Sequence, residues 1–356
     1  MYKLRKKTGN GLYYRLIKRL HTCNLFYFVL YYSKLVQGVF MQKFIITEND
    51  ANQRVDKFLT KTFPSLPQSL MYKAFRKKDI KINRKKCEIS TRLQTGDVLE
   101  VYLNDDVLEK KEIKKDITKI MPVLNILYED DNIILVDKKP GISVHDDETS
   151  DGETLIDMIQ AYLYLKGEYI PEEENSFTPS LCNRIDKNTG GIVIAAKNAM
   201  ALRTMNEKIK NREIDKKYLC IVHGKPWPRE DTLNAYHIKN SKENRAYIFD
   251  EPQEGARKIS TKYKVLKSKN GLSLLEVELL TGRTHQIRAH MAYIGHPLAG
   301  DTKYGTNEMN KNLPYKYQAL YSYKLRFSFT SPKKSPLDYL RGKEFTVNDV
   351  YFKKDF

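Results

Sequence analysis

No apolar run in the 356-residue chain comes near the roughly 18 to 20 residues that a membrane-spanning helix needs. Cysteine is scarce. Cys23, Cys87, Cys182 and Cys220 lie far apart with no C-x-x-C pair, which argues against a disulfide framework and a thiolate metal site and for a soluble protein of a reducing compartment. No Gly-rich phosphate loop and no internal repeat is found. Acidic residues are in deficit: 44 Asp and Glu face 62 Lys and Arg, a net charge of +18 with a pI near 9.4. Such an excess favours approach to a polyanion and makes binding salt-sensitive, so nucleic acid leads over an ordinary basic surface. A hydrophobic fraction of 41% and a charged fraction of 30% exclude a largely disordered chain, and the length suggests two domains.

Residues 1–40 hold eight basic side chains and no acid, followed by an aromatic run from Leu25 to Tyr32. A basic stretch before a short apolar one resembles a secretory signal, but Lys34 interrupts it and no small-residue cleavage site stands out. The expectation is an extension outside the fold, with Met41 as an alternative start; a membrane-surface segment is the second reading. From Phe44 the pattern sharpens. Val55, Phe58 and Leu59 recur at helical spacing, with Asn49 or Asn52 as cap and Pro64 and Pro67 as stop. Ser69 precedes a second helix bearing Lys73, Arg76, Lys77 and Lys78, and Ile80–Ile82 reads as a strand that turns at Asn83-Arg84. A last strand starts at Val98. Residues 53–103 carry 12 basic and five acidic side chains, and the bases bunch around one helix and the following hairpin, which points to phosphate contact.

A charged linker over 105–120 separates this module from a larger one over 121–330, and 331–356 reads as a basic, Pro-punctuated tail. In the larger module strands are expected at Ile133–Val136, Ile192–Ala196, Tyr218–Val222 and Leu272–Leu279, helices near Thr154–Leu165 and Met200–Lys210, and a tight turn at Pro140-Gly141. Three stretches carry chemistry. In the first, Asn183-Arg184-Ile185-Asp186-Lys187-Asn188-Thr189-Gly190-Gly191 enters a buried strand, so Asp186 either meets a substrate at the sheet edge or caps a turn. The paired glycines allow close approach of a strand or a ligand. In the second, Tyr218 opens an apolar strand, where packing is the commoner role of such a ring. The third runs from Thr281-Gly282-Arg283-Thr284-His285-Gln286-Ile287-Arg288-Ala289-His290 to Asp301 and Tyr304. Here Thr284 fits a helix cap, Ile287, Met291 and Ile294 form an apolar stripe, and Gly295 fits the stop. Arg288 lies beside that stripe and needs a carboxylate partner. His285, His290 and His296 are spaced onto different faces, against a metal site.

The first module resembles an S4 domain, a small RNA-binding fold, through Gln53-Arg54-Val55-Asp56-Lys57-Phe58-Leu59 and Ala74–Asn83 to Gly96-Asp97-Val98. The Arg-Ile-Asp-x-x-Thr-Gly-Gly loop and the Gly-Arg-Thr-His-Gln-Ile-Arg-Ala-His stretch resemble the RluA-type pseudouridine synthases, and the likeness spans about residues 44 to 330. Asn183 and Gly190 stand where that family usually has His and often Ser. The resemblance implies an α+β protein: a small S4-type domain (41–104), then a catalytic domain on a mixed, mainly antiparallel sheet with flanking helices. It implies Asp186 as nucleophile, Tyr218 packing on the target base, and Arg288 paired with the aspartate. Arg184, Arg283 and His285, with Lys73, Arg76, Lys77, Lys78, Arg84 and Lys85 of the first module, are the expected RNA contacts. The expected substrate is 23S or precursor large-subunit ribosomal RNA, and the expected protein is a cytoplasmic monomer.

The chemistry agrees with these roles. Uridine becomes pseudouridine by breaking the N1–C1′ bond and rejoining the ring through C5, with no redox change, so no nicotinamide, metal or ATP is needed. An opposite charge nearby favours an ionised carboxylate, so Arg288 is expected to hold Asp186 charged. Extruding the base costs roughly a few kcal/mol, which an aromatic platform offsets by roughly 1 to 3 kcal/mol. Two other classes compete: a binding protein that keeps the fold without the chemistry, and a glycosylase that also uses a carboxylate. The combination of Asp186, Tyr218 and Arg288 argues against the first, and release of free uracil would mark the second.

Overall fold

The computed structural model describes residues 40–103, 115–146, 152–330 and 335–356. The expected extension over 1–40 lies outside these apart from Phe40, as do residues 105–114 of the expected linker. The chain divides into two compact units, Met1–Ile113 and Lys114–Phe356.

In the first unit, β1 (Phe40–Ile45) leads to helices α1 (Val55–Thr62) and α2 (Gln68–Lys77), then to β2 (Ile80–Ile82), β3 (Lys85–Lys86) and β4 (Val98–Leu103). The strands form an antiparallel sheet in the order β1-β4-β2-β3. Helix α1 buries Val55, Phe58 and Leu59 as their spacing predicts, and Phe58 and Phe63 meet Phe44 edge to face at 5.5 and 5.7 Å. Asn83 and Arg84 both take positive φ, 51° and 66°, the backbone a two-residue hairpin requires to match the twist of its strands. The caps differ from expectation. Arg54 occupies the start of α1 without a side-chain cap, because Asn52 (φ 63°) is used in a left-handed turn whose N–H donates to the Leu93 carbonyl. Helix α2 begins one residue before Ser69, after Pro67.

The second unit is built on an eleven-stranded sheet. Its elements begin with β5 (Ile126–Glu129), β6 (Ile133–Lys138), α3 (Leu155–Leu165), β7 (Ser180–Leu181), β8 (Gly190–Ala196) and α4 (Ala199–Lys210). There follow β9 (Ile214–His223), β10 (Glu230–Asn240), β11 (Arg245–Phe249), β12 (Arg257–Lys269), β13 (Leu272–Leu279), α5 (Gln286–Tyr293), the short helix α6 (Asn307–Asn310), β14 (Leu320–Phe327) and β15 (Glu344–Thr346). The main path runs β11-β10-β12-β13-β9-β14-β8-β6-β5, with β7 on β8 and β15 on β14. Every pairing is antiparallel except β14 with β8, so the fold is α+β on a mixed, mainly antiparallel sheet.

Thr154 caps α3 in a reciprocal capping box with Asp157, and Asn198 caps α4. Helix α3 packs Leu155, Ile159 and Leu163 with Ile134 and Val136, while Ala201 and Met205 of α4 join the core beneath Ile192 and Ile194. Strand β8 therefore buries side chains on both faces, which is why it reads as an unbroken apolar run.

Two expected boundaries are corrected. Ile117 and Ile120 are buried in the core under α3, so the end of the expected linker is part of the second unit. Residues 337–356 are not a tail: Leu337, Leu340, Val347, Val350 and Phe352 are buried with Phe327 and Phe329, and β15 extends the sheet. The apolar surface these residues remove from water outweighs the Lys and Pro composition that suggested a solvated end.

Candidate active site

The middle of the large sheet sets the site. Ser322 of β14 lies opposite Gly191 of β8 on one side and Tyr218 of β9 on the other. The loop that enters β8 and the start of β9's apolar run are thereby held one strand apart. A Cβ on Gly191 (φ 115°) would stand 2.2 Å from the Ser322 carbonyl oxygen, and one on Gly190 2.3 Å from the Tyr321 ring. The glycine pair thus serves strand contact rather than a ligand. Asn183 is also structural. It is buried, its Oδ1 accepts from the Ile194 N–H at 2.8 Å, and it ties the start of the loop to β8.

Within the loop, the Thr189 N–H donates to the Asp186 carbonyl at 3.0 Å, closing the turn through the backbone. The Asp186 carboxylate is left out of that turn and half-buried, with Oδ2 accepting from Arg288 Nη1 at 2.9 Å. Arg288, on α5, is 7% exposed and has a second partner, Asp301, which binds Nε at 2.7 Å and Nη2 at 3.0 Å. The two-pronged contact fixes the guanidinium plane and aims the remaining nitrogen at Asp186. Burial works against both charges. The two carboxylates more than reverse it for Arg288, and Arg288 reverses it for Asp301, whose carboxyl is held below its ordinary value. Among the described residues, no group donates to Asp186 Oδ1.

Tyr218 is 6% exposed and packs with Cys220, Val277 and Leu320. Burial, with the Asp186 charge adding to it, pushes its hydroxyl up to about 12. The structure brings Tyr218 to the site as a buried ring rather than an open platform. Arg184 is exposed beside the loop, close enough to His145 for its charge to oppose protonation of that ring. His285 Nε2 lies 3.8 Å from Asp186 Oδ2, and Arg283 is exposed on the loop before α5. The three histidines of that stretch have separate partners: Tyr304 for His285, Thr261 for His290 and the His223 carbonyl for His296.

Helix α5 starts one residue later than its sequence suggests. His285, not Thr284, holds the cap position, in a left-handed conformation (φ 53°) without a side-chain cap. The Gln286 side chain organises this corner instead, accepting from the Arg283 N–H and Thr281 Oγ1 and donating to the Ser260 carbonyl and Thr261 Oγ1. Lys73, Arg76, Lys77 and Lys78 on and after α2, and Arg84 and Lys85 of the hairpin, are exposed in the first unit. Tyr72, Phe75, Arg76, Cys87, Glu88 and Ile89 line an open groove there of about 610 Å³.

Sequence reasoning missed two residues of the site. Asp301 lay within a quoted motif but received no role, since nothing local announces a partner thirteen residues away. Lys138, at the end of β6, is buried and donates to the carbonyls of Lys139, Ile142 and Lys187 at 3.1, 2.9 and 2.9 Å. These three acceptors match the three donors of an ammonium and pin the turn after β6 to the residue following Asp186. Burial lowers Lys138 to about 7, against the charges of Asp186 and Asp137, which raise it. A lysine ending an apolar strand just before Lys-Pro-Gly was its only local signal.

Among the described residues, no helix is long and apolar enough to cross a membrane, and no cluster of three or more His, Cys, Asp or Glu could hold a metal. A family model described as RNA pseudouridylate synthase matches residues 132–293. An "Uncharacterized RNA pseudouridine synthase" of Mycoplasma capricolum is 35% identical over 312 residues, 86% of this chain and 98% of the relative. "Ribosomal large subunit pseudouridine synthase C" is 32% identical over 272 residues in Haemophilus influenzae (75% of this chain, 80% of the relative). Its namesake in Escherichia coli K12 is 30% identical over 270 residues, covering 75% and 81%.

Proposed function

The chain belongs to the RNA pseudouridylate synthase family, and we propose that it isomerises uridines of large-subunit ribosomal RNA with the Asp186 carboxylate as the attacking group. The observation that carries this reading is the asymmetry of that carboxylate. Oδ2 is engaged by Arg288, itself fixed by Asp301, while Oδ1 has no donor among the described residues. Three routes use the same oxygen: attack at C1′, attack at C6, or removal of a proton from the sugar. In each, N1–C1′ breaks, C5–C1′ forms, the C5 proton leaves and N1 gains one. The guanidinium at 2.9 Å offsets the cost of holding negative charge in a half-buried site.

Arg184, exposed beside the nucleophile, is suited to a phosphate or to the space an extruded base leaves. Tyr218 backs the site as a buried ring near enough for the Asp186 charge to act on its hydroxyl. The names of the relatives and the exposed basic side chains of α2 and the β2–β3 hairpin support ribosomal RNA as substrate, with the first unit acting as an S4-type affinity module. Arg283 and His285 complete the RNA-facing set. The working form we propose is a monomer in the cytoplasm.

The test is incubation with uridine-labelled large-subunit RNA and digestion to nucleosides. Pseudouridine is expected with the native chain and not with Asp186→Asn, while RNA affinity persists. Free uracil, or pseudouridine from Asp186→Asn, would overturn the assignment.

A further inference from the structure

We propose that His285 is a hydrogen-bond donor to the target nucleoside, with its tautomer fixed by Tyr304. The inference rests on the functional reading above and adds to it a second polar contact at the same carboxylate. The Tyr304 hydroxyl oxygen accepts from the Ala246 N–H of β11 at 2.7 Å. Its own proton needs an acceptor, and the one within reach among the described residues is His285 Nδ1, at 3.0 Å. A nitrogen that accepts carries no proton, so the neutral ring bears its hydrogen on Nε2. Nε2 is the atom that stands 3.8 Å from Asp186 Oδ2.

Burial, then the Arg288 and Lys303 charges, lower His285 to about 4, against Asp186 and Asp301, which raise it, so the neutral ring is favoured near neutral pH. The contact with Asp186 is therefore not an ion pair, and 3.8 Å is too long for a hydrogen bond. The Nε2–H has no described acceptor and borders the reacting carboxylate. A nucleoside oxygen placed beside Asp186 meets it.

The rest of the corner is arranged to hold this pose. His285 keeps a left-handed backbone (φ 53°), which costs a non-glycine residue energy and persists only where its surroundings fix it. Tyr304 meets the His285 ring edge to face at 5.7 Å and has the Arg288 and Arg245 guanidinium groups over its ring at 5.2 and 5.1 Å. Tyr304 touches no substrate on this view; it is a positioning residue that acts through His285.

Nitrogen-15 NMR of histidine-labelled enzyme reads the tautomer without turnover. The native chain is expected to show His285 as the Nε2–H form across about pH 6 to 8. Tyr304→Phe should show mixed tautomers, with kcat lowered about tenfold and KM for RNA within about twofold. His285→Phe should lose about ten- to a hundredfold in kcat, and His285→Gln, which keeps an N–H donor, should recover part of it. Ribose 2′-hydroxyl and uracil carbonyl share the acceptor chemistry, and RNA with 2′-deoxyuridine at the target separates them. An affinity gap between native and His285→Phe that vanishes on that RNA assigns the ribose; one that persists assigns the base. An Nδ1–H or imidazolium signal in the native chain, or native kcat in His285→Phe, overturns the proposal. Failure of the native chain to form pseudouridine overturns the functional reading instead, and leaves the tautomer signal to be judged separately.

Discussion

Asp301→Asn removes one charge from the buried pair that aims Arg288, and its consequences can be worked out from the geometry. The Asp301 side chain has no exposed surface, and that of Arg288 is 8% exposed. Breaking a buried pair from one side costs about 3 to 5 kcal/mol, because the remaining charge stays desolvated. Asparagine keeps an oxygen for one Arg288 nitrogen but offers an N–H to the other, so about 3 kcal/mol is expected. For a unit of this size about 2 to 4 °C in Tm accompanies each kcal/mol, so the melting transition of the second unit should fall by about 6 to 12 °C. The pH dependence has a definite sign. Asp301 is held below the ordinary carboxylate value, so its stabilisation is present above the unfolded pKa and lost as pH falls through the folded one. The gap between native and Asp301→Asn should therefore be widest near neutrality and close in acid. Differential scanning calorimetry that resolves the two units measures it. A shift below about 2 °C at neutral pH, or a gap that widens in acid, would refute the reasoning.

Other consequences are as definite. Gly191→Ala should prevent the catalytic unit from folding soundly, since φ 115° and a Cβ 2.2 Å from the Ser322 carbonyl oxygen leave nothing free to move; circular dichroism and solubility report it. Lys138→Met leaves three carbonyls without their donor and should cost about 1 to 3 kcal/mol in urea denaturation, with loss of activity from a loosened Asp186 loop. Truncation before Ser335 should expose the surface that Leu337, Leu340, Val347, Val350 and Phe352 cover, giving an aggregating protein in size-exclusion chromatography. Replacing Lys73, Arg76 and Lys77 with alanine should reduce the slope of log affinity against log salt by about 2 to 3, read by filter binding across a salt series.

Local signals carried much of the fold. Leu272–Leu279 is a strand residue for residue, the helix expected near Thr154–Leu165 runs Leu155–Leu165, and Asn83-Arg84 and Gly295 sit where hairpin and stop chemistry place them. Strand β12 carries a local signal as well, since Ile259, Thr261, Tyr263 and Val265 alternate with polar neighbours and are buried. The C-terminal residues gave no periodic signal, and their burial follows only from the core beside them. Within the site, Arg288's need for a carboxylate was plain, but that it has two, and that Asp301 is the one that fixes its plane, is a property of the folded corner. Tyr218's depth of burial was equally invisible, because one aromatic at a strand start looks the same whether it lines a site or fills a core.

The most direct measurement is the fate of tritium at C5 of uridine in large-subunit ribosomal RNA, followed in a single turnover. The native chain should release tritium in step with pseudouridine, because C5 gives up its hydrogen when it takes over the bond to C1′. Asp186→Asn, with its melting transition and RNA affinity intact, should release none. Tritium release at the native rate from that variant would contradict the account.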